Sequence, residues 1–134
     1  HNLREIASSG EIARVMLALK TVLAAADRIP VLIFDEIDAN IGGTTAAAVG
    51  REMARLGGER QILCITHTPQ VAAGGSRHFR VQKHVTSQRT HAEVSILKST
   101  EKIDEVARML GSTDNSCVVK DHARELIKMA KAAS

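Results

Sequence analysis

An α/β fold is predicted for this chain: two parallel strands joined by a crossover helix, with flanking helices, an antiparallel hairpin and C-terminal helices. Three observations predict it. VLIF (31–34) and QILCIT (61–66) are short β-favouring runs without polar alternation, the pattern of strands covered on both faces. The stretch between them has helical spacing, so strand, helix and strand close within about forty residues, the size of one βαβ unit. Strands so connected run parallel, with a right-handed crossover. Farther on, Phe79, Val81, Lys83 and Val85 alternate with His78, Arg80, Gln82 and His84, and a second alternating run spans His91 to Leu97 after a polar loop at 86–90. That is the pattern of a hairpin with one wet face.

From Glu11 to Asp27 the chain is rich in Ala, Leu and Met, has no Gly or Pro, and is apolar around most of its circumference, as a helix buried on more than one side would be. Pro30 ends it, and VLIF follows as a central parallel strand that stops at the carboxylates of DEID (35–38). Gly42 and Gly43 break the chain before a helix over Thr44 to Leu56, which places Ala48, Met53 and Leu56 among its helical-face residues and meets a stop at Gly57 and Gly58. After the second strand and the hairpin, EKIDEVARMLG sets Ile103, Val106, Ala107 and Leu110 at helical spacing with Gly111 as its cap. A last amphipathic helix is expected from about Ser116 to Ala132.

The 134 residues are 44% hydrophobic and 25% charged, which fits one soluble globular domain over 1–134. No apolar run approaches the ~18 residues of a membrane span, and no signal-peptide pattern opens the chain, so an intracellular, cytoplasmic protein is expected. Cys64 and Cys117 have no CxxC spacing and are expected as reduced structural thiols. A net charge of +3 is compatible with polyanion contact. With two Phe and neither Trp nor Tyr, binding of single strands by base stacking is disfavoured.

Three short segments could hold chemistry. Ser8-Ser9-Gly10-Glu11 opens the long helix. As plain structure it is a capping box, with Ser8 accepting from the first turn and Glu11 reaching back; the same geometry exposes N–H donors and a partial positive charge suited to a phosphate. Asp35-Glu36-Ile37-Asp38 sits at the C-terminal end of an apolar strand, where open α/β sheets place ligands. There Asp35 suits Mg²⁺ or its water, and Glu36 suits polarising the water that attacks a terminal phosphate. Thr66-His67-Thr68-Pro69 ends the next strand, so His67 is expected on the same rim. A lone histidine is more often structural, and it is the convergence on one edge that favours function.

The order SSGE, long helix, VLIFDEID, Gly-Gly, helix, CITHTPQVA resembles the C-terminal half of an ABC-type ATPase head, a partial P-loop NTPase, and most closely the RecN family of bacterial DNA-repair proteins, relatives of the SMC proteins. LREIASSGEIARVMLALK is similar to the family's signature motif and helix, LIFDEIDANIGG to its Walker B and D-loop, CITHTPQVAAGG to its switch-histidine segment, and EVARMLGS to its tail.

The resemblance implies ATP and Mg²⁺ as cofactors, a second head as homodimer partner, an N-terminal lobe supplied by the same protein, nonspecific contact with double-stranded DNA ends, and a nucleoid-associated location. It implies that Ser8 and Gly10, flanked by Ser9 and Glu11, contact the γ-phosphate of ATP held by a second head. Asp35 would support Mg²⁺, Glu36 would be the base, His67 would sense the γ-phosphate, and Asp38 and Asn40 would join the nucleotide-facing set. Residues 39–42 would form the D-loop across the dimer interface. The serine–glycine turn is then expected to face away from Glu36, toward a partner's nucleotide. Ser9 stands where the common signature has its first glycine, and Gly42 where many D-loops have Asp. No G-x-x-x-x-G-K-[ST] occurs, so a C-terminal lobe without its Walker A half or coiled coil is expected, inactive in isolation.

Other clusters read as surface. His78 and His84 lie about 20 Å apart along one strand face, too far to chelate one ion, while His84 and His91 approach across the hairpin without a third ligand. Lys120, Arg124, Lys128 and Lys131 form a basic stripe on the last helix, and Arg77, Arg80, Lys83 and Arg89 surround the hairpin. Such stripes are usually solvated; their functional version is salt-sensitive contact with a DNA backbone. The expected function is the ATPase-head lobe of a double-strand-break repair protein. The alternatives are a non-catalytic interaction module and, lower, a DEAD-type helicase fragment, since DEID differs from DEAD in one letter but THTPQVA replaces the Ser-Ala-Thr element.

Overall fold

A computed structural model describes residues 8–23, 29–85, 89–111 and 116–132. Helix α1 (Ser9–Val22) begins at the expected capping box: Ser8 Oγ accepts from the Glu11 amide at 3.4 Å, and the Ser8 amide donates to Glu11 Oε2 at 2.8 Å. The sequence extends this helix to Asp27; residues 24–27 lie outside those described. Only Gly10 and Leu17 of α1 are buried, while Val15, Met16, Leu19 and Val22 are 44% to 80% exposed. The expectation of burial on several sides is therefore corrected, because α1 meets β1 and α2 along one narrow stripe.

Strands β1 (Val31–Asp35) and β2 (Gln61–Ile65) pair in parallel, Val31 opposite Gln61 and Asp35 opposite Ile65. Helix α2 (Gly43–Gly57) crosses between them and turns Ala46, Val49, Met53 and Leu56 inward. With Leu17, Leu32, Phe34, Ile37 and Val71 these side chains form the first core, and Ile62 and Cys64 pack at its edge. The βαβ unit is thus present, but its sheet is covered on one face. Val31, Ile33, Leu63 and Ile65 point the other way and are 40% to 69% exposed. The unbroken apolar runs reflect two apolar faces, and among the described residues only one of them meets helices.

Helix α3 (Pro69–Ala73) follows β2 directly, with Thr68 as N-cap and proline in the first turn. This single turn joins the two halves of the molecule. Val71 belongs to the first core, whereas Ala73 joins Val106, Ala107, Ala123 and Ile127 in a second. A Cβ at Gly50 would lie 3.0 Å from the Gln70 carbonyl oxygen, so a glycine is what lets α2 approach the backbone of α3.

Strands β3 (Phe79–Val85) and β4 (Thr90–Ile96) form a separate antiparallel pair, with Phe79 opposite Ile96 and His84 opposite His91. The predicted alternation holds, with β4 beginning one residue early. The apolar side of the hairpin (Phe79, Val81, Val85, Val94, Ile96) is itself 53% to 71% exposed. Helices α4 (Ser99–Met109) and α5 (Cys117–Ala132) close the second core. Helix α4 starts two residues ahead of expectation, where Glu101 Oε2 accepts from the Lys98 amide at 2.6 Å. Gly111, at φ 91°, takes the left-handed position after the helix end.

Candidate functional site

The parallel register brings Asp35 and Ile65 level, so the segments that follow β1 and β2 leave the same edge of the sheet. Asp35, Glu36, Asp38 and His67 are therefore gathered as the sequence predicts. Asp35 closes β1 with an exposed side chain. Glu36 turns the chain sharply with φ 57°, and Asn40 ends the turn at φ 58°. Left-handed backbone costs energy for residues other than glycine, and it persists where the surroundings impose it, commonly at functional sites. Here Ile37, fully buried between the two, provides that constraint, and the Ala39 amide donates to the Glu36 carbonyl at 3.0 Å.

Asp38 is the least expected member. The sequence sets it among the nucleotide-facing residues, but its side chain has no exposure. Its Oδ2 accepts from the amides of His67 and Thr68, each at 3.1 Å, from Thr68 Oγ1 at 2.9 Å, and from Thr66 Oγ1. His67 Nδ1 lies 3.5 Å from the same oxygen, while the imidazole stays mostly exposed. Burial pushes the Asp38 carboxyl upward; the hydroxyls of Thr66 and Thr68 and the amides of Asp38 and His67 outweigh it and hold the group below the usual aspartate value. Asp38 is thus a buried carboxylate that ties the β2–α3 loop to the β1 turn. The same charges act on neighbouring Cys64, whose thiol is pushed up to about 12 by burial and by Asp38 and Asp35. That is an inert structural thiol, as expected.

The serine–glycine turn is not turned away from this cluster. Ser9 Oγ donates to Glu36 Oε2 at 2.5 Å, and a Cβ at Gly10 would sit 2.8 Å from the Glu36 carbonyl oxygen and 3.2 Å from Ala39 Cβ. Arg14, which sequence reasoning did not single out, donates through Nη1 to the carbonyls of Ile37 and Ala39, both at 3.1 Å. It lies on the helix stripe of Gly10 and Leu17, the two buried residues of α1. Ser8 and Glu11 are engaged with each other in the cap, and the Ser8 amide and hydroxyl hold the Glu11 carboxyl below its ordinary value.

Oxygen donors at Asp35 and Glu36 suit Mg²⁺, but among the described residues no group of three or more His, Cys, Asp or Glu side chains gathers to hold an ion. Such an ion would complete its shell with phosphate oxygens and water. The hairpin histidines stack at 5.1 Å between ring centroids, and His84 Nε2 lies 3.2 Å from Glu93 Oε2, which agrees with a surface pair. On α5, Lys120 and Arg124 of the basic stripe pair with Asp104 and Asp121 at 2.7 and 2.6 Å. No helix among the described residues is long and apolar enough to cross a membrane.

No protein-family model matches the chain. It is similar to the DNA repair protein RecN of Deinococcus radiodurans, 44% identical over 93% of this chain and 22% of the relative. The RecN proteins of Streptomyces coelicolor (41% identical) and Bacillus subtilis (37%) match 94% and 96% of the chain and 22% of their own lengths. The chain thus spans about a fifth of the curated relatives it matches. In three dimensions it is similar to a chain solved in a study of ATP-driven dimerization and DNA-stimulated activation of SMC ATPases, with a TM-score of 0.58 and 22% identity over 83% of this chain and 66% of that one. That likeness establishes the fold: a mixed α/β arrangement like that of the solved SMC ATPase chain.

Proposed function

We propose that this chain, RecN-like in sequence and SMC-head-like in fold, is the C-terminal lobe of an ATPase head, contributing a signature turn, Walker B carboxylates and a switch histidine to ATP hydrolysis between two heads. The protein it belongs to would act in recombinational repair of DNA double-strand breaks in the bacterial cytoplasm, at the nucleoid. The observation that carries this reading is the shared edge of β1 and β2, from which the turn bearing Glu36 and the loop bearing His67 emerge, joined through Asp38.

In this reading Glu36 accepts the proton of the attacking water, and its forward position at the strand end suits that role. His67 offers its outer ring nitrogen to the terminal phosphate. Mg²⁺, held by Asp35 through water, would neutralise charge on the phosphates. The signature turn of this reading is the capped N-terminus of α1 at Ser8 to Glu11, whose helix dipole favours an anion. Asn40 and the turn around it lie at the head–head contact.

The test is Glu36→Gln in the complete protein. The amide keeps the shape but accepts no proton, so ATP binding and ATP-dependent dimers are expected to persist while turnover falls at least ~100-fold. Turnover at the wild-type rate would remove Glu36 as the base. Absence of magnesium-dependent ATP binding in the complete wild-type protein would favour a non-catalytic interaction module instead.

A further inference from the structure

A buried carboxylate is costly unless its oxygens are well satisfied, and in this lobe one carboxylate collects an entire loop. Among the described residues, every side-chain and loop-amide donor to Asp38 Oδ2 comes from Thr66, His67 and Thr68, and Oδ1 is buried without a partner. On the other side of the turn Arg14 holds the carbonyls of Ile37 and Ala39, and Ile37 is fully enclosed. Little slack is left between Asp38 and the backbone of Glu36. With Nδ1 of His67 turned toward Asp38, Nε2 is the ring nitrogen left facing outward from a mostly exposed imidazole.

We propose that Asp38 is a positioning residue: it fixes the His67 loop to the Glu36 turn, so that the phosphate-sensing imidazole and the base approach the nucleotide as one preset unit. This rests on the ATPase reading above for its effect on turnover, and on the hydrogen bonds alone for the fixed loop. Outer partners that orient metal-bound histidines typically alter affinity or activity ~10–100-fold when removed, and an effect of that order is expected for this imidazole.

The experiment is a double-mutant cycle in the complete protein, with Asp38→Ala, Asp38→Asn, His67→Ala and the doubles, read as kcat and KM for magnesium-ATP. Asp38→Ala is expected to lower kcat at least ~10-fold with KM within about threefold, and to cost less than about threefold more when His67 is already alanine. Asp38→Asn keeps a carbonyl oxygen for the same donors and is expected to recover part of the loss. It also serves if the alanine variant fails to fold. A loss that multiplies undiminished onto His67→Ala would overturn the proposal.

Hydrogen exchange gives a second readout that needs no turnover. The His67 and Thr68 amides are expected to exchange at least ~10-fold faster in Asp38→Ala while the β1–β2 ladder is unchanged. Unchanged loop amides would refute the fixed loop whatever the protein hydrolyses. Faster loop amides in a protein without ATP turnover would sustain the fixed loop and refute the ATPase reading.

Discussion

The hydroxyl of Ser9 donates to Glu36 Oε2 at 2.5 Å, linking the first turn of α1 to the group proposed as base. That hydrogen bond occupies one oxygen of the carboxylate until the contact opens. A glycine at this position, as in the common signature, has no hydroxyl to give. Ser9→Ala in the complete protein is therefore expected to raise ATP turnover about threefold to tenfold, the equivalent of about 1 kcal/mol of hydrogen bonding. A fall in kcat would mean that the hydroxyl assists the base.

Gly10 lies where α1 touches the β1 turn. A methyl group there would meet the Glu36 carbonyl oxygen at 2.8 Å and Arg14 Nη1 at 3.0 Å, and the first of these is backbone that cannot swing aside. Gly10→Ala is expected to destabilise the lobe by about 1–3 kcal/mol, the usual result of overpacking. Chemical denaturation checks this; an unchanged midpoint would show that the turn has room to move.

The buried Asp38 carboxylate also predicts an acid-sensitive contribution to stability. Its folded pKa lies below the ordinary aspartate value because the loop's hydrogen bonds outweigh burial. A depressed acid adds stability above its unfolded value of ~3.9, and that part is lost as the pH falls toward the folded value. The stability difference between wild type and Asp38→Asn is therefore expected to be constant near neutrality and to shrink below about pH 4. Denaturant midpoints at several pH values measure it, and a gap that persists unchanged to about pH 3 contradicts the assignment.

The side of β1 and β2 left uncovered by the described residues predicts how the 134-residue polypeptide behaves alone. Ile33 and Ile65, 69% and 64% exposed, stand beside Val31 and Leu63 on one apolar face. Exposed apolar patches of this kind drive association. The isolated polypeptide is expected to sediment as a concentration-dependent oligomer with negligible ATP turnover. Ile33→Glu with Ile65→Lys is expected to shift it toward monomer without loss of helical circular dichroism. A wild-type polypeptide that is monomeric at all concentrations would contradict the first expectation, and robust hydrolysis by it the second.

Much of this was legible in the sequence because local signals and tertiary structure agree. VLIF and QILCIT, the Gly-Gly break and the Ser8–Glu11 cap give the βαβ unit and the start of α1 within a residue or two. The edge shared by Glu36 and His67 follows from parallel pairing alone. Burial was less legible. An apolar run reports what a residue prefers, not which helices are present to satisfy it, so Ile33 and Leu19 read as buried and are exposed. Helix α3 escaped because five residues are too few for a periodic signal. The burial of Asp38 was not legible because its charge suggests solvent or ligand, whereas its donors lie 28 to 30 positions away on another loop. Ser9 was read as a departure from a motif, and its partner 27 positions away has no local signature.

Helix α3 has one further consequence. Val71 and Ala73, two positions apart on a single turn, are members of different apolar clusters, and that turn touches α2, α4 and α5. Melting either cluster strips neighbours from this turn and so weakens the other. Heating the Ile33→Glu, Ile65→Lys variant, expected to be monomeric, should therefore give one calorimetric peak, its van't Hoff enthalpy matching the heat absorbed, as for a single thermodynamic unit.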